Sequence, residues 1–224
     1  MPKHFHRAIE DLMKLLLELS VKVEYQLHRS LEALQDRDAD ACERVILEDL
    51  EVDRQEVRLE EECLKILALH QPVARDLRFV IAALKINNDL ERIGDLAVDI
   101  AEHAQRIIAN PTVIARFDFS GIYSRVKAML HTSIDALVNL DIGLARQVLR
   151  ADDEVDEMNR RICDEVLNEM KIQGEQAHLL IQYIYISRRL ERAADQATNI
   201  AEDIIYLMSG DIVRHGKSLG KSID

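Results

Sequence analysis

Thirteen residues of this chain recur without a gap one hundred positions later, and that repeat restricts the fold more than any other feature. Leu90-Glu91-Arg92-Ile93-Gly94-Asp95-Leu96-Ala97-Val98-Asp99-Ile100-Ala101-Glu102 is matched by Leu190-Glu191-Arg192-Ala193-Ala194-Asp195-Gln196-Ala197-Thr198-Asn199-Ile200-Ala201-Glu202, with eight of the thirteen identical. Upstream, Asp49-Leu50-Glu51-Val52-Asp53 aligns with Asp152-Asp153-Glu154-Val155-Asp156 at an offset of 103, and the same offset pairs Asp38 with Asp141. Two matches in the same order imply two copies of one structural unit.

The unit is helical. Apolar residues recur three and four apart, as in Leu27, Leu31 and Leu34, or Leu90, Ile93, Ala97 and Ile100, which is the period of a helix face. Punctuation falls between such runs, at Asp36–Asp40, Gln71-Pro72, Asn110-Pro111, Ser120-Gly121, Asp141-Ile142-Gly143, Gln173-Gly174 and Ser209-Gly210. Only 7 Gly, 3 Pro and 4% aromatics are present, too few breaks for a sandwich or barrel with a turn every ~8–12 residues. Six helices are therefore expected, over about 3–35, 39–70, 73–109, 119–140, 142–172 and 175–209. The expected class is all-α: two tandem three-helix bundles, 1–110 and 111–210, with a flexible tail over 211–224.

The acidic balance, 41 acidic against 29 basic side chains and a net charge of −12, argues against nucleic acid as the main partner, since phosphate backbones need a basic surface. Three widely spaced cysteines, Cys42, Cys63 and Cys163, do not make a disulfide framework and suit a reduced, cytoplasmic setting. The longest uncharged stretch, Gln176 to Ser187, falls short of the ~20 residues a membrane span needs.

Within each copy the polar residues retained are acids four apart: Asp49 and Asp53, Glu91 and Asp95, Asp152 and Asp156, Glu191 and Asp195. Residues at that spacing share a helix face, where like charges repel by a few tenths of a kcal/mol. A tight turn at Gln71-Pro72 makes the second and third helices antiparallel. Counting about 1.5 Å per residue from the turn, Asp53 is level with Glu91 and Asp49 with Asp95; counting from Gly174 sets Asp156 level with Glu191. The helical wheel turns Glu91, Asp95, Glu102 and the adjacent Asp99 away from Leu90, Ile93, Ala97 and Ile100, so the stripe is expected to face outward. Such a stripe is either a solvated face or a surface carboxylate site; hard cations, iron and manganese accept all-oxygen ligands of this kind. Glu56 and Glu60 extend the first stripe, whereas Asn159, Cys163 and Asn199 stand at the positions aligned with Glu56, Glu60 and Asp99. The first site is therefore expected to bind divalent cations more tightly.

These residues resemble the PhoU family, the accessory regulators of bacterial phosphate uptake. The paired acid-x-x-x-Asp motifs, together with Pro72-Val73-Ala74-Arg75-Asp76-Leu77-Arg78 and Asn88-Asp89-Leu90-Glu91-Arg92-Ile93-Gly94-Asp95, are close to the family's wording, and the likeness covers essentially the whole chain. Arg188 and Arg189 replace Asn88 and Asp89 in the second copy, which weakens the metal expectation there. The resemblance implies regulation rather than catalysis. It implies an adaptor between the ATPase subunit of a phosphate ABC transporter and a sensor histidine kinase, associated with the membrane only through that complex, and a homodimer. It also implies metal at Asp49, Asp53, Glu91, Asp95, Asp99, Asp152, Asp156, Glu191 and Asp195, with iron first and zinc, manganese, magnesium and calcium as further candidates.

Two other functions compete. One is a structural helical scaffold whose acidic stripes only keep the surface soluble. The other is a ferritin-like di-iron oxidase, which needs two Glu-x-x-His motifs facing inward; only Glu175-Gln176-Ala177-His178 qualifies. His4 and His6 are two apart and diverge on a helix. Arg75 and Arg78, like Arg188, Arg189 and Arg192, are expected to pair with surface acids, and Tyr183 and Tyr185 to lie in the core or at its rim. Gly94 is expected to permit close helix approach. No nucleophile–base pair or phosphate-binding Gly loop is visible, so no enzyme is expected.

Overall fold

The computed structural model describes residues 3–110 and 117–210; the tail expected to be flexible, 211–224, lies outside them. Six α-helices are present among the described residues: α1 (Lys3–Asp36), α2 (Ala39–His70), α3 (Ala74–Ile108), α4 (Ser120–Asn139), α5 (Ile142–Ile172) and α6 (Ala177–Ser209). The start of the last helix differs from expectation, because a 3-10 turn over Gly174–Gln176 precedes α6.

The repeat is visible in the joints. Before α2 the chain passes through left-handed Arg37 (φ 56°) and then caps the helix with Asp38, which accepts a hydrogen bond from the Ala41 N–H at 2.9 Å. One copy later, left-handed Leu140 (φ 52°) precedes Asp141, which accepts from the Gly143 and Leu144 N–H groups at 2.7 and 3.2 Å. Each aspartate satisfies helix-start N–H groups that would otherwise lack partners. The equivalence extends into α1 and α4: Ser30 and Ser133, 103 apart, are fully buried and donate to the carbonyls of Leu27 and Leu130.

Helices α1, α2 and α3 pack mutually, as do α4, α5 and α6, but the most extensive pairing of all is α3 against α6. The two three-helix units thus meet along their third helices. Their apolar faces, Leu90, Ile93 and Ile100 on α3 and Leu190, Ile200 and Ile204 on α6, belong to one continuous core with Leu16, Leu19, Val155 and Val166. Two hydrophobic stripes on one helix explain this: α3 and α6 each bury one side in their own unit and another in the partner unit. Cys42 and Cys63 are buried free thiols, and Cys163 is a half-buried one; burial pushes Cys42 up to about 11 and Cys63 to about 12, which makes both unreactive. No helix among the described residues is long and apolar enough to cross a membrane.

Candidate metal centre

The α2–α3 hairpin closes at left-handed Gln71, whose N–H reaches the Leu67 carbonyl, and α3 then runs back along α2. Helix rotation, which spacing alone leaves open, brings the acidic pairs face to face. Burial raises the Glu91 carboxyl, and Asp95, Glu56 and Asp53 raise it further; burial also raises Asp95, followed by Asp49, Asp53 and Asp99. The α5–α6 hairpin repeats the arrangement. Asp152 is pushed up to about 6, first by burial and then by Asp195, Asp156 and Asp153, while Glu191 is raised by burial, Asp195, Asp156 and Asp152. The wheel expectation needs one correction. Asp53, Asp95, Asp156 and Asp195 are exposed, but Asp49, Glu91, Asp152 and Glu191 are half-buried, because the stripe lies along the helix–helix seam rather than opposite it.

Among the described residues none of these eight carboxylates is ion-paired with a basic side chain. Asp99, also expected in the site, is different: it turns across the α3–α6 seam and pairs with Arg189 at 2.6 Å. It differs from the other eight in having a cationic partner, and it still adds to the rise of Asp95.

Three residues outside the expected set shape the first site. Gln26 of α1 is 3% exposed and donates through Nε2 to Asp49 Oδ1 at 2.9 Å and to the Val45 carbonyl. Asn87 donates to both the carbonyl and the carboxylate of Glu56, which sets that side chain beside Glu91. Gly94 explains how the three helices come so close. A β-carbon there would lie 3.1 Å from Val52 Cγ1, 3.3 Å from Gln26 Oε1 and 3.4 Å from Asp49 Oδ1. The available sequence signal for Gln26 was a polar residue inside the apolar stripe of Val23, Leu27 and Leu31.

Other expected contacts move. Arg75 reaches the Met208 sulfur and Arg78 donates to the Leu207 carbonyl, so both hold the end of α6 instead of meeting surface acids. Glu175, in the 3-10 turn, and His178, in the first turn of α6, are both exposed, and an outward-facing motif cannot line the bundle interior that a ferritin-like site requires. His4 is exposed and His6 lies beside Glu10. Tyr183 is buried against Phe117 and Phe119, and Tyr185 stacks on His103.

The donor set suits a hard or borderline cation: unpaired carboxylates on facing turns, half open to water. No three carboxylate, imidazole or thiol groups among the described residues are gathered tightly enough to hold a metal as they stand.

Burial, with neighbouring acids adding to it, gives a pH signature. Eight acids are raised: Asp49, Glu56, Asp89, Glu91, Asp95, Asp152, Glu191 and Asp195. An acid raised in the folded state binds protons there that the unfolded chain has released, so stability falls as pH rises through that window. For Asp152 the window runs from 3.8 to about 6. His103, lowered by burial, acts in the opposite direction but is common to wild type and variant. Asp152→Asn is thus expected to match the metal-free wild type near pH 4 and to exceed it at pH 7 by on the order of 1 kcal/mol after solvent screening. Denaturant melts across this range measure the difference, and a pH-independent one would contradict the assignment.

The chain is similar in sequence and fold to several known proteins. The family model described as PhoU domain matches residues 16–104 and again 120–204. The chain is 34% identical over 209 residues to a Clostridium acetobutylicum protein named phosphate-specific transport system accessory protein PhoU homolog, covering 93% of this chain and 95% of that one. It is 37% identical over 188 residues to a Deinococcus radiodurans protein of the same name, covering 84% and 88%. Among solved structures, PhoU from Pseudomonas aeruginosa superposes with a TM-score of 0.86 at 33% identity, over 92% of this chain and 100% of that one. A phosphate transport system regulatory protein PhoU from Streptococcus pneumoniae superposes with a TM-score of 0.88 at 28% identity, over 94% and 100%.

Proposed function

The chain belongs to the PhoU family, and from that premise we propose that it is an accessory protein of phosphate transport that restrains phosphate uptake and the phosphate-starvation response. The observation that carries this is the extent of the match: the family model covers both repeats, and each repeat retains its two facing acidic pairs. The protein acts by binding rather than catalysis. It works in the cytoplasm as an adaptor between the ATPase subunit of a phosphate ABC transporter and a sensor histidine kinase, with no nucleic acid involved.

Deleting the encoding gene is expected to derepress phosphate-starvation genes in phosphate-replete medium. A reporter driven by such a gene measures this, and normal repression in the deletion strain would sink the regulatory claim. Capture of the tagged protein from phosphate-replete cells tests the two named partners.

Metal belongs to the same proposal. Asp49, Asp53, Glu91 and Asp95 would hold a cation in the first repeat, and Asp152, Asp156, Glu191 and Asp195 in the second. Iron is the first candidate; zinc, manganese, magnesium and calcium follow. A bound cation supplies positive charge that cancels the repulsion between paired helices. Through such a cation the carboxylates would tie α2 to α3 and α5 to α6, and so fix the surface offered to partners.

A second copy of this chain is the proposed occupant of an apolar row on α2. Leu50, Val57 and Leu64 recur every seven residues, Leu47 precedes them by three, and all four are 51–61% exposed. A seven-residue apolar period is what two helices need for knobs-into-holes contact. Wild type is expected to be dimeric by light scattering, and Leu50→Glu combined with Val57→Glu monomeric. A dimer that survives both charges would place the interface elsewhere.

A further inference from the structure

We infer that Gln26 on α1 is a positioning residue that makes the first repeat the tighter of two unequal cation sites. This rests on the proposal that the paired carboxylates take divalent cations, and it adds a residue from a helix that carries none of them.

The Gln26 carboxamide does two things at once. Its Nε2 holds Asp49 Oδ1 at 2.9 Å, so one ligand oxygen is oriented before any cation arrives. Its Oε1 is buried without a hydrogen-bond partner, on the side of Asp49 where Gly94 leaves out a β-carbon. A buried acceptor with no donor is costly, and a water carried by a cation on Asp49 would donate to it. The Gln26 side chain is 3% exposed whereas Asp49 is half-buried, so the amide orients the carboxylate from inside the bundle.

The second repeat lacks this device. The offset of 103 that pairs Ser30 with Ser133 pairs Gln26 with Met129, which is 2% exposed. Met129 has no amide, and Ala194 puts a methyl group where Gly94 has none. No side-chain donor to Asp152 corresponds to Gln26 among the described residues. A second contrast points the same way. In the first repeat Asn87 holds the Glu56 carboxylate, whereas at the aligned positions Ser187 holds the neutral Asn159 carboxamide at 2.7 Å. The first site therefore has one more oriented negative group and one more orienting partner. A ligand already held in its binding rotamer loses less freedom when the cation arrives, and removal of such outer partners typically weakens metal affinity by about 10–100-fold.

The test is a Mn2+ titration of the full-length protein, followed by the electron paramagnetic resonance of free Mn2+ and by calorimetry. Wild type is expected to show a tight and a weak class of site. Gln26→Met, which copies the second repeat, is expected to weaken the tight class by about 10-fold or more and leave the weak class unchanged. The reverse substitution, Met129→Gln, is expected to strengthen the weak class, and it keeps the test decisive if Gln26→Met fails to fold. Thermal melts of both variants report any general loss of structure, which would affect both classes together. Unchanged affinities in a folded Gln26→Met, equal losses in both classes, or no gain in Met129→Gln would overturn the role of Gln26 while leaving the carboxylate sites in place. Absence of Mn2+ binding by wild type would overturn the sites themselves, and this inference with them.

Discussion

Replacing Asp49, Asp53, Glu91 and Asp95 together by their amides is expected to stabilise the metal-free protein and to abolish the response of the first repeat to divalent cations. Both effects have one cause. These four carboxylates lie on facing turns of α2 and α3, and those whose protonation is displaced, Asp49, Glu91 and Asp95, are all raised, with burial the leading cause and neighbouring acids adding to it. Each like-charge contact costs a few tenths of a kcal/mol, and partial burial adds to that, for a total on the order of 2 kcal/mol at neutral pH. In a protein of this size each kcal/mol moves the melting temperature by about 2–4 °C, so the fourfold variant should melt roughly 4–8 °C higher without metal. Wild type given Mn2+ at about 100 times its dissociation constant should gain about 3 kcal/mol through binding, and the first repeat of the variant should gain nothing. Melts with and without Mn2+ measure both. A purely structural scaffold predicts the stabilisation but no cation response in wild type, so the second measurement separates the two functions.

Leu90→Ala and Leu190→Ala are each expected to cost about 2–5 kcal/mol, the range for deleting a fully buried leucine side chain. The two leucines occupy the same place in α3 and α6, and both are 0% exposed. That loss corresponds to roughly 4–20 °C of melting temperature. The more informative outcome is the shape of the transition. Because α3 and α6 form the most extensive contact in the molecule and share one core, a cavity in either repeat should destabilise both, and calorimetry should show one transition in each variant. Two resolved transitions, with only the mutated repeat shifted, would show that the repeats unfold as separate bundles.

Much of the site could be read from residue order. The ungapped match of Leu90–Glu102 with Leu190–Glu202, and the nearly equal count of residues on either side of each hairpin turn, set the acidic pairs level with one another. Helix rise is nearly constant, so height along a hairpin follows from counting. Rotation does not follow from counting, because it depends on which side chains fill the seam. Asp99 illustrates the difference: its spacing from Asp95 matches the motif, yet the packing of α3 against α6 turns it to Arg189. Gln26 illustrates the converse. It lies far from the motif in the chain, and only the closeness of α1, α2 and α3 at Gly94 brings it to Asp49.

The sequence by itself therefore determined the all-α class, the two copies, the helix joints and the identity of the facing acids, since these depend on local periodicity, capping chemistry and repeat offset. Tertiary structure alone decided that the copies share one core along α3 and α6, that Asp99 takes Arg189 as its partner, and that Gln26 of α1 reaches Asp49. Those outcomes depend on helix rotation and on contacts between residues far apart in the chain, such as the close approach of Val52, Gln26 and Asp49 around Gly94.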